Sequence, residues 1–177
     1  MKRKAGWDVM LLLLFAGGLF FFWQKEQDHL KEDLVQQDQL HPIVIEKKEK
    51  LIDRTANKDI NVVVTEGYRS ETRQNDLYAQ GRTKDGAIVT NAKGGESYHN
   101  YGLAIDFALE RSNGEITWDT TYDGNQNGQS DWEETVDIAK DLGFEWGGDW
   151  DHFEDPVHLQ WNPGVSMNKL QQENDDA

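Results

Sequence analysis

The chain contains no cysteine, which excludes disulfides, thiolate metal sites and a cysteine nucleophile together. Any transition-metal site must therefore be built from histidine and carboxylate. Basic residues are scarce: 18 Lys and Arg stand against 33 Asp and Glu, for a net charge of −15. That balance argues against nucleic acid as a partner, which requires a basic face. It reads instead as the solvated surface of an exported protein. There is no internal repeat, and no long apolar run after residue 23. A length of 177 residues supports one domain with a real core and is too short for two of ordinary size.

The single long apolar run is Val9 to Trp23, preceded by Met1-Lys2-Arg3-Lys4. It ends Phe20-Phe21-Phe22-Trp23-Gln24-Lys25, without the small residues of a signal-peptide cleavage site, and no cysteine is present to carry a lipid. Residues 1–23 are expected to form an uncleaved signal anchor, a transmembrane helix with its basic end inside and Trp23 at the outer interface. Secretion after cleavage is the alternative. Residues 24–40 are polar and free of Gly and Pro, and read as a stalk. A globular domain is expected over 41–165, followed by a polar, disordered tail over 166–177.

Within the domain, Lys47 to Asn57 reads as a helix and Ile60-Asn61-Val62-Val63-Val64-Thr65 as a β-branched buried strand. Ser70 is placed to cap a helix running to Gln80, with Gly81 as its stop. Residues 82–96 form a Gly-containing loop. Leu103 to Leu109 alternates as a strand, with Leu103, Ile105, Phe107 and Leu109 on one face and Ala104, Asp106 and Ala108 on the other. A helix is expected over Asp131 to Leu142, with Asp131 and Glu134 as a capping-box-like start and Gly143 as its end.

Two segments carry chemistry. One is Ser97-Tyr98-His99-Asn100-Tyr101-Gly102-Leu103-Ala104-Ile105-Asp106 and the other is Asp155-Pro156-Val157-His158. They offer two imidazoles and a carboxylate for a metal, with a second carboxylate three residues before the last imidazole. That inventory suits a hydrolytic zinc site: three protein ligands, an open position for water and a nearby acid/base. Neither segment is specific alone, since a lone His is usually a surface or satisfied core residue and Asp-x-x-His is common. An unbroken strand would point His99 and Asp106 to opposite faces, and Asn100-Tyr101-Gly102 supplies a turn that resolves this. An Asp flanked by two Ala on a strand face has space in front of it for a metal and a substrate.

The pattern Ser97-x-His99-x-x-Gly102-x-Ala104-x-Asp106 with Asp155-x-x-His158 resembles the VanY-like zinc peptidases of bacterial cell walls, in their L-alanyl-D-glutamate peptidase branch of Bacillus-type wall enzymes and phage endolysins. Thr65-Glu66-Gly67-Tyr68-Arg69-Ser70, Leu77-Tyr78-Ala79-Gln80-Gly81-Arg82-Thr83 and Gly143-Phe144-Glu145-Trp146-Gly147-Gly148-Asp149-Trp150 are similar to family segments in family order. The similarity runs from about His41 to Trp161. It implies an α+β fold: a small antiparallel sheet with helices on one side and zinc on its open face. It implies His99, Asp106 and His158 as zinc ligands and Asp155 as the catalytic carboxylate. It implies Arg69 as the group that polarises the scissile carbonyl, and Ser97 as a position near substrate. Carboxypeptidase and dipeptidase branches usually carry Glu where this chain has Asp155, so the implied reaction is hydrolysis of the L-alanyl-D-glutamate bond in the peptidoglycan stem peptide. Two rivals remain: D-alanyl-D-alanine carboxypeptidase action, and a non-catalytic wall-binding module. With the signal anchor read from residues 1–23, the expected location is the bacterial membrane, crossed once, with the catalytic domain on the wall side.

A second metal site is suggested by Asp123-Gly124-Asn125-Gln126-Asn127-Gly128-Gln129-Ser130-Asp131-Trp132-Glu133-Glu134. Asp123, Asn125, Asn127, Asp131 and Glu134 fall at the side-chain positions of an EF-hand calcium loop. Gln129 would offer its carbonyl, and Gly128 sits at the sharp turn. The expectation is a weak, structural calcium site without a preceding helix. A Gly/Asn-rich turn before a capped helix is the alternative. His29, His41 and His152 carry no assignment, and Trp146 and Trp150 fit either the cleft or the core.

Overall fold

The computed structural model describes residues 40–175. The expected anchor and nearly all of the stalk lie outside the described residues. Among the described residues no helix is long and apolar enough to cross a membrane.

Helix α1 (Pro42–Ala56) begins before the charged stretch at Lys47. Pro42 occupies the first turn, where its missing N–H has no helical partner to lose, and the His41 ring accepts from Ile43 N. Strand β1 (Asn61–Glu66), helix α2 (Glu71–Ala79), strands β2 (Ala104–Glu110) and β3 (Ile116–Thr117), helix α3 (Asp131–Asp141), strands β4 (Glu145–Trp146) and β5 (His158–Gln160), and helix α4 (Met167–Asp175) follow. Short 3-10 turns occupy Tyr98–Tyr101 and Gly147–Asp149. Ser70 caps α2 as expected, accepting from Arg73 N. The cap of α3 is Ser130, not Asp131; its hydroxyl accepts from the N–H groups of Trp132 and Glu133.

The fold is α+β. The strands pair antiparallel in the order β1-β2-β5-β4, with β3 also on β2. One face of the sheet carries the core: Ile105, Phe107 and Leu109 of β2 and Leu159 of β5 meet Val44 and Leu51 of α1 and Trp132, Ile138 and Ala139 of α3. Phe107 and Trp132 stack with ring centroids 4.5 Å apart. Each fully buried aliphatic chain here contributes roughly 1.5–3 kcal/mol. Helix α2 departs from the expected one-sided arrangement, because its Leu77 lines a cavity together with the open-face residues Asp106 and His158.

A β-bulge prepares that open face. Val62 and Val64 of β1 pair with Leu109 and Phe107, on the core side. The register then shifts between Val64 and Glu66, and Glu66 comes to lie opposite Asp106. Without the extra residue, strict alternation would turn Glu66 into the core.

The tail differs from expectation. Residues 167–175 are helical, and Leu170 is fully buried in a small cluster with Tyr101, Leu103 and Val165. The polar composition hides an apolar pair at helical spacing, Met167 and Leu170, which suffices to dock the segment. Leu170→Ala is expected to lower the unfolding free energy by about 2–4 kcal/mol, read from urea denaturation. An unchanged midpoint would return this segment to a disordered tail.

Candidate metal centre

Sheet register places two of the three expected ligands side by side: Asp106 of β2 pairs directly with His158 of β5. His99 arrives from the 3-10 turn, which Gly102 ends in the left-handed region at φ 66°, a conformation that favours glycine. His99 Nε2 lies 3.2 Å from Asp106 Oδ1, and His158 Nδ1 lies 3.3 Å from the same oxygen. The two ring nitrogens are 3.1 Å apart.

The outer hydrogen bonds fix where the imidazole protons sit. His99 Nδ1 is 2.7 Å from the carbonyl oxygen of Gly67. A carbonyl only accepts, so Nδ1 carries the hydrogen and Nε2 presents a lone pair. His158 Nε2 is 3.0 Å from Gln160 Oε1, so by the same reasoning Nδ1 is bare. Two unprotonated nitrogens and a carboxylate oxygen therefore converge with no hydrogen between them. Such a set is repulsive in a buried site unless a cation neutralises it. Two nitrogens and one oxygen, with outer hydrogen bonds already made, are the donor set of an open zinc site. The residues fit the metal.

Burial works against charge on Asp106, but the imidazoles of His158 and His99 beside it outweigh burial and hold its carboxyl well below the usual range. Asp155 is pushed the other way. Burial raises its carboxyl, and nearby Asp106 adds to this against the pull of His158, His99 and Arg69. Asp155 lines the same cavity as the three ligands. Its backbone is folded tightly around Gly147, whose carbonyl accepts from Asp155 N, while His158 N donates to Asp155 O. A Cβ on Gly147 would stand 2.5 Å from the Asp155 carbonyl oxygen and 3.1 Å from His158 Cβ. Only glycine permits that approach.

Arg69 is more occupied than the sequence suggests. Its guanidinium donates Nε–H and one NH2-group hydrogen to the two Glu66 oxygens at 2.9 and 2.6 Å, one to Gln74 Oε1 at 2.9 Å and one to Asp106 Oδ2 at 3.2 Å. That leaves a single N–H of its five. The Arg69 hydrogen bond is the chief cause of a lowered Glu66 carboxyl. Ser97 lines the cavity, and its hydroxyl accepts from His99 N, so it also shapes the ligand turn.

The cavity has a volume of about 570 Å³. Trp150, Phe153 and Val89 line it with exposed apolar surface, and the Trp150 ring lies 5.2 Å from that of His158. Trp146 belongs to the core side, with its Nε1–H donated to Pro156 O. His152 is exposed and does not line the cavity.

The calcium expectation is not supported. Glu134, which would have to give both oxygens to the ion, gives Oε1 to Lys58 Nζ at 2.6 Å and Oε2 to the carboxamides of Asn125 and Asn127. Asp123 accepts from Asn127 N and Gly128 N, and Asn127 Oδ1 accepts from Gln129 N. Asp131 Oδ2 accepts from Gly124 N, while its Oδ1 is buried without a hydrogen-bond partner. Burial accordingly pushes the Asp131 carboxyl up, against the Gly124 hydrogen bond. Lys58 brings to Glu134 the positive charge that the loop was expected to draw from solution. Among the described residues, the three-residue set able to hold a metal is His99, Asp106 and His158.

Several residues of the site carried no individual assignment in the sequence, among them Glu66, Gly67, Gln74 and Gln160. Gln160 has a legible signal, being two residues beyond His158 and so on its face of the strand. The bulge hides Glu66, and the Gly67 contact is a backbone carbonyl that no side-chain pattern reports.

With this geometry in place, similarity to known proteins is informative. A peptidase M15 family model, with the description D-alanyl-D-alanine carboxypeptidase, matches residues 90–161. The chain is 55% identical over 166 residues to the peptidoglycan L-alanyl-D-glutamate endopeptidase CwlK of Bacillus subtilis, covering 92% of this chain and 99% of that protein. It is 34% identical over 113 residues to the L-alanyl-D-glutamate peptidase of Listeria phage A118, covering 64% of this chain and 34% of that protein. The vancomycin-resistance D,D-dipeptidase VanXYg shares the fold, with a TM-score of 0.51 at 23% identity over 75% of this chain and 58% of that one.

Zinc added to chelator-treated protein is expected to raise the melting temperature. Protons compete for the same lone pairs, so the rise should shrink as pH falls. His158→Ala should abolish it. An equal rise in that variant would place the metal elsewhere.

Proposed function

The chain belongs to the family of the peptidoglycan L-alanyl-D-glutamate endopeptidases, and from that premise we propose that it is a zinc peptidase cutting the L-alanyl-D-glutamate bond of the stem peptide. The observation that carries this reading is the convergence of bare donors from His99, Asp106 and His158 beside the Asp155 carboxyl on the wall of one cavity.

His99, Asp106 and His158 would hold the zinc. When bound, zinc supplies a Lewis acid and lowers the pKa of water towards ~7. Asp155 accepts the proton of the attacking water and returns it to the leaving amine. Burial favours this role, because it raises the affinity of the Asp155 carboxyl for a proton. Arg69 pins Asp106 Oδ2, which would leave the other oxygen free for a metal, and lends fixed positive charge where the tetrahedral oxyanion develops. Gly147 keeps Asp155 and His158 in close approach. Ser97 shapes the turn that presents His99 and offers a hydroxyl at the substrate wall. Residues 1–23 anchor the domain on the wall side of the bacterial membrane, with 24–40 as a spacer.

Asp155→Asn keeps the shape of the side chain and removes the proton acceptor. It is expected to retain zinc and to lose at least about 100-fold in muropeptide cleavage. Wild-type digests should show new L-alanine carboxyl termini. Release of free D-alanine instead would move the activity to the carboxypeptidase class. Undiminished cleavage by Asp155→Asn would remove Asp155 from the mechanism.

A further inference from the structure

His158 is a metal ligand only while its proton sits on Nε2, and this preference has to be imposed. With the proton on Nδ1, the ring would donate to Asp106 Oδ1, 3.3 Å away. That bond would satisfy both groups and close the site to a metal. We propose that Gln160 and Glu145, neither of them a ligand, are positioning residues that impose the metal-binding tautomer of His158. The inference rests on the zinc reading above and extends it to residues with no assigned role.

Polarity is transmitted along one chain of contacts. Gln160 shares the strand face of His158 and pairs in register with Glu145 across β4 and β5. Its Nε2 donates to Glu145 Oε2 at 2.8 Å. A carboxylate only accepts, so it takes the NH2 end of the amide and turns the carbonyl end toward His158. That carbonyl oxygen, 3.0 Å from His158 Nε2, also only accepts, so the ring proton must be on Nε2. Reversing the amide would set its carbonyl against the carboxylate and its NH2 against the ring. The proton would then move to Nδ1, where it blocks the ligand position. Asn162 Nδ2 reaches the other Glu145 oxygen at 3.4 Å.

The two imidazoles therefore differ in how they are held. His99 is oriented by the backbone carbonyl of Gly67, which no substitution removes. His158 is oriented entirely through side chains. Gln160 and His158 are both buried, so water is poorly placed to replace the amide if it is lost.

The test uses the full chain, with Gln160→Leu and with the exchange Gln160→Glu plus Glu145→Gln. The exchange keeps an acceptor facing His158 and a donor at the other end of the pair. In zinc-free protein, ring nitrogen NMR shifts of His158 should report the Nε2–H tautomer for the wild type and the exchange variant, and Nδ1–H for Gln160→Leu. Chelator competition should show zinc binding weakened about 10- to 100-fold in Gln160→Leu and restored in the exchange variant. Melting temperatures of the zinc-free proteins identify loss of fold, and the exchange variant keeps the question open to measurement if Gln160→Leu does not fold. An unchanged tautomer and unchanged zinc affinity in Gln160→Leu would overturn the proposal, as would an exchange variant that folds and fails to recover both. A wild type with the Nε2–H tautomer and no zinc affinity would sink the zinc reading while leaving the polarity chain intact.

Discussion

Two imidazole nitrogens and a carboxylate oxygen, all presenting lone pairs, meet at 3.1–3.3 Å, and their mutual repulsion is the constraint around which this domain is built. Left alone, the three groups would separate or share protons. They are instead held from behind. Gly67 O fixes His99, Gln160 fixes His158, and Arg69 occupies the outer oxygen of Asp106. Each of these contacts costs the metal-free protein some stability in the centre, and each is returned when a cation enters. The site is thus preorganised for a divalent ion.

The sheet makes the geometry possible because its two faces have separate tasks. One face of β2 and β5 buries Ile105, Phe107 and Leu159 against α1 and α3, which locks register. Once register is locked, Glu66, Asp106 and His158 lie in a row across three strands. The bulge in β1 and the close approach at Gly147 are the two local departures from regular structure that complete the row. Arg69 then bridges Glu66 to Asp106, so the first carboxylate of the row steadies the second through a shared cation. A core substitution that slipped β2 by one residue would turn Asp106 inward and destroy the centre.

Much of this was legible in the chain. Alternation in Leu103–Leu109 placed Asp106 on the open face, and the 3-10 turn at Tyr98–Tyr101 resolved the His99 spacing as expected. What escaped had no local signal. The bulge that exposes Glu66 is a property of the β1–β2 pair. The loop at Asp123–Glu134 has the spacing of a calcium site, but Lys58, 76 positions from Glu134, supplies the charge. The resemblance implied Arg69 as the group that polarises the scissile carbonyl, but its partners Glu66, Gln74 and Asp106 are brought to it only by the fold. The tail helix rests on one buried leucine in a polar stretch, too little for composition to reveal. In each case the missing information was a partner distant in sequence.

X-ray absorption at the zinc edge of the loaded protein reads the ligand shell of this centre. One tightly bound zinc per chain is expected, with two imidazole nitrogens at about 2.0–2.1 Å and oxygen ligands at about 2.0–2.2 Å. A single imidazole, a ligand shell of water and carboxylate alone, or substoichiometric zinc in folded protein would contradict it.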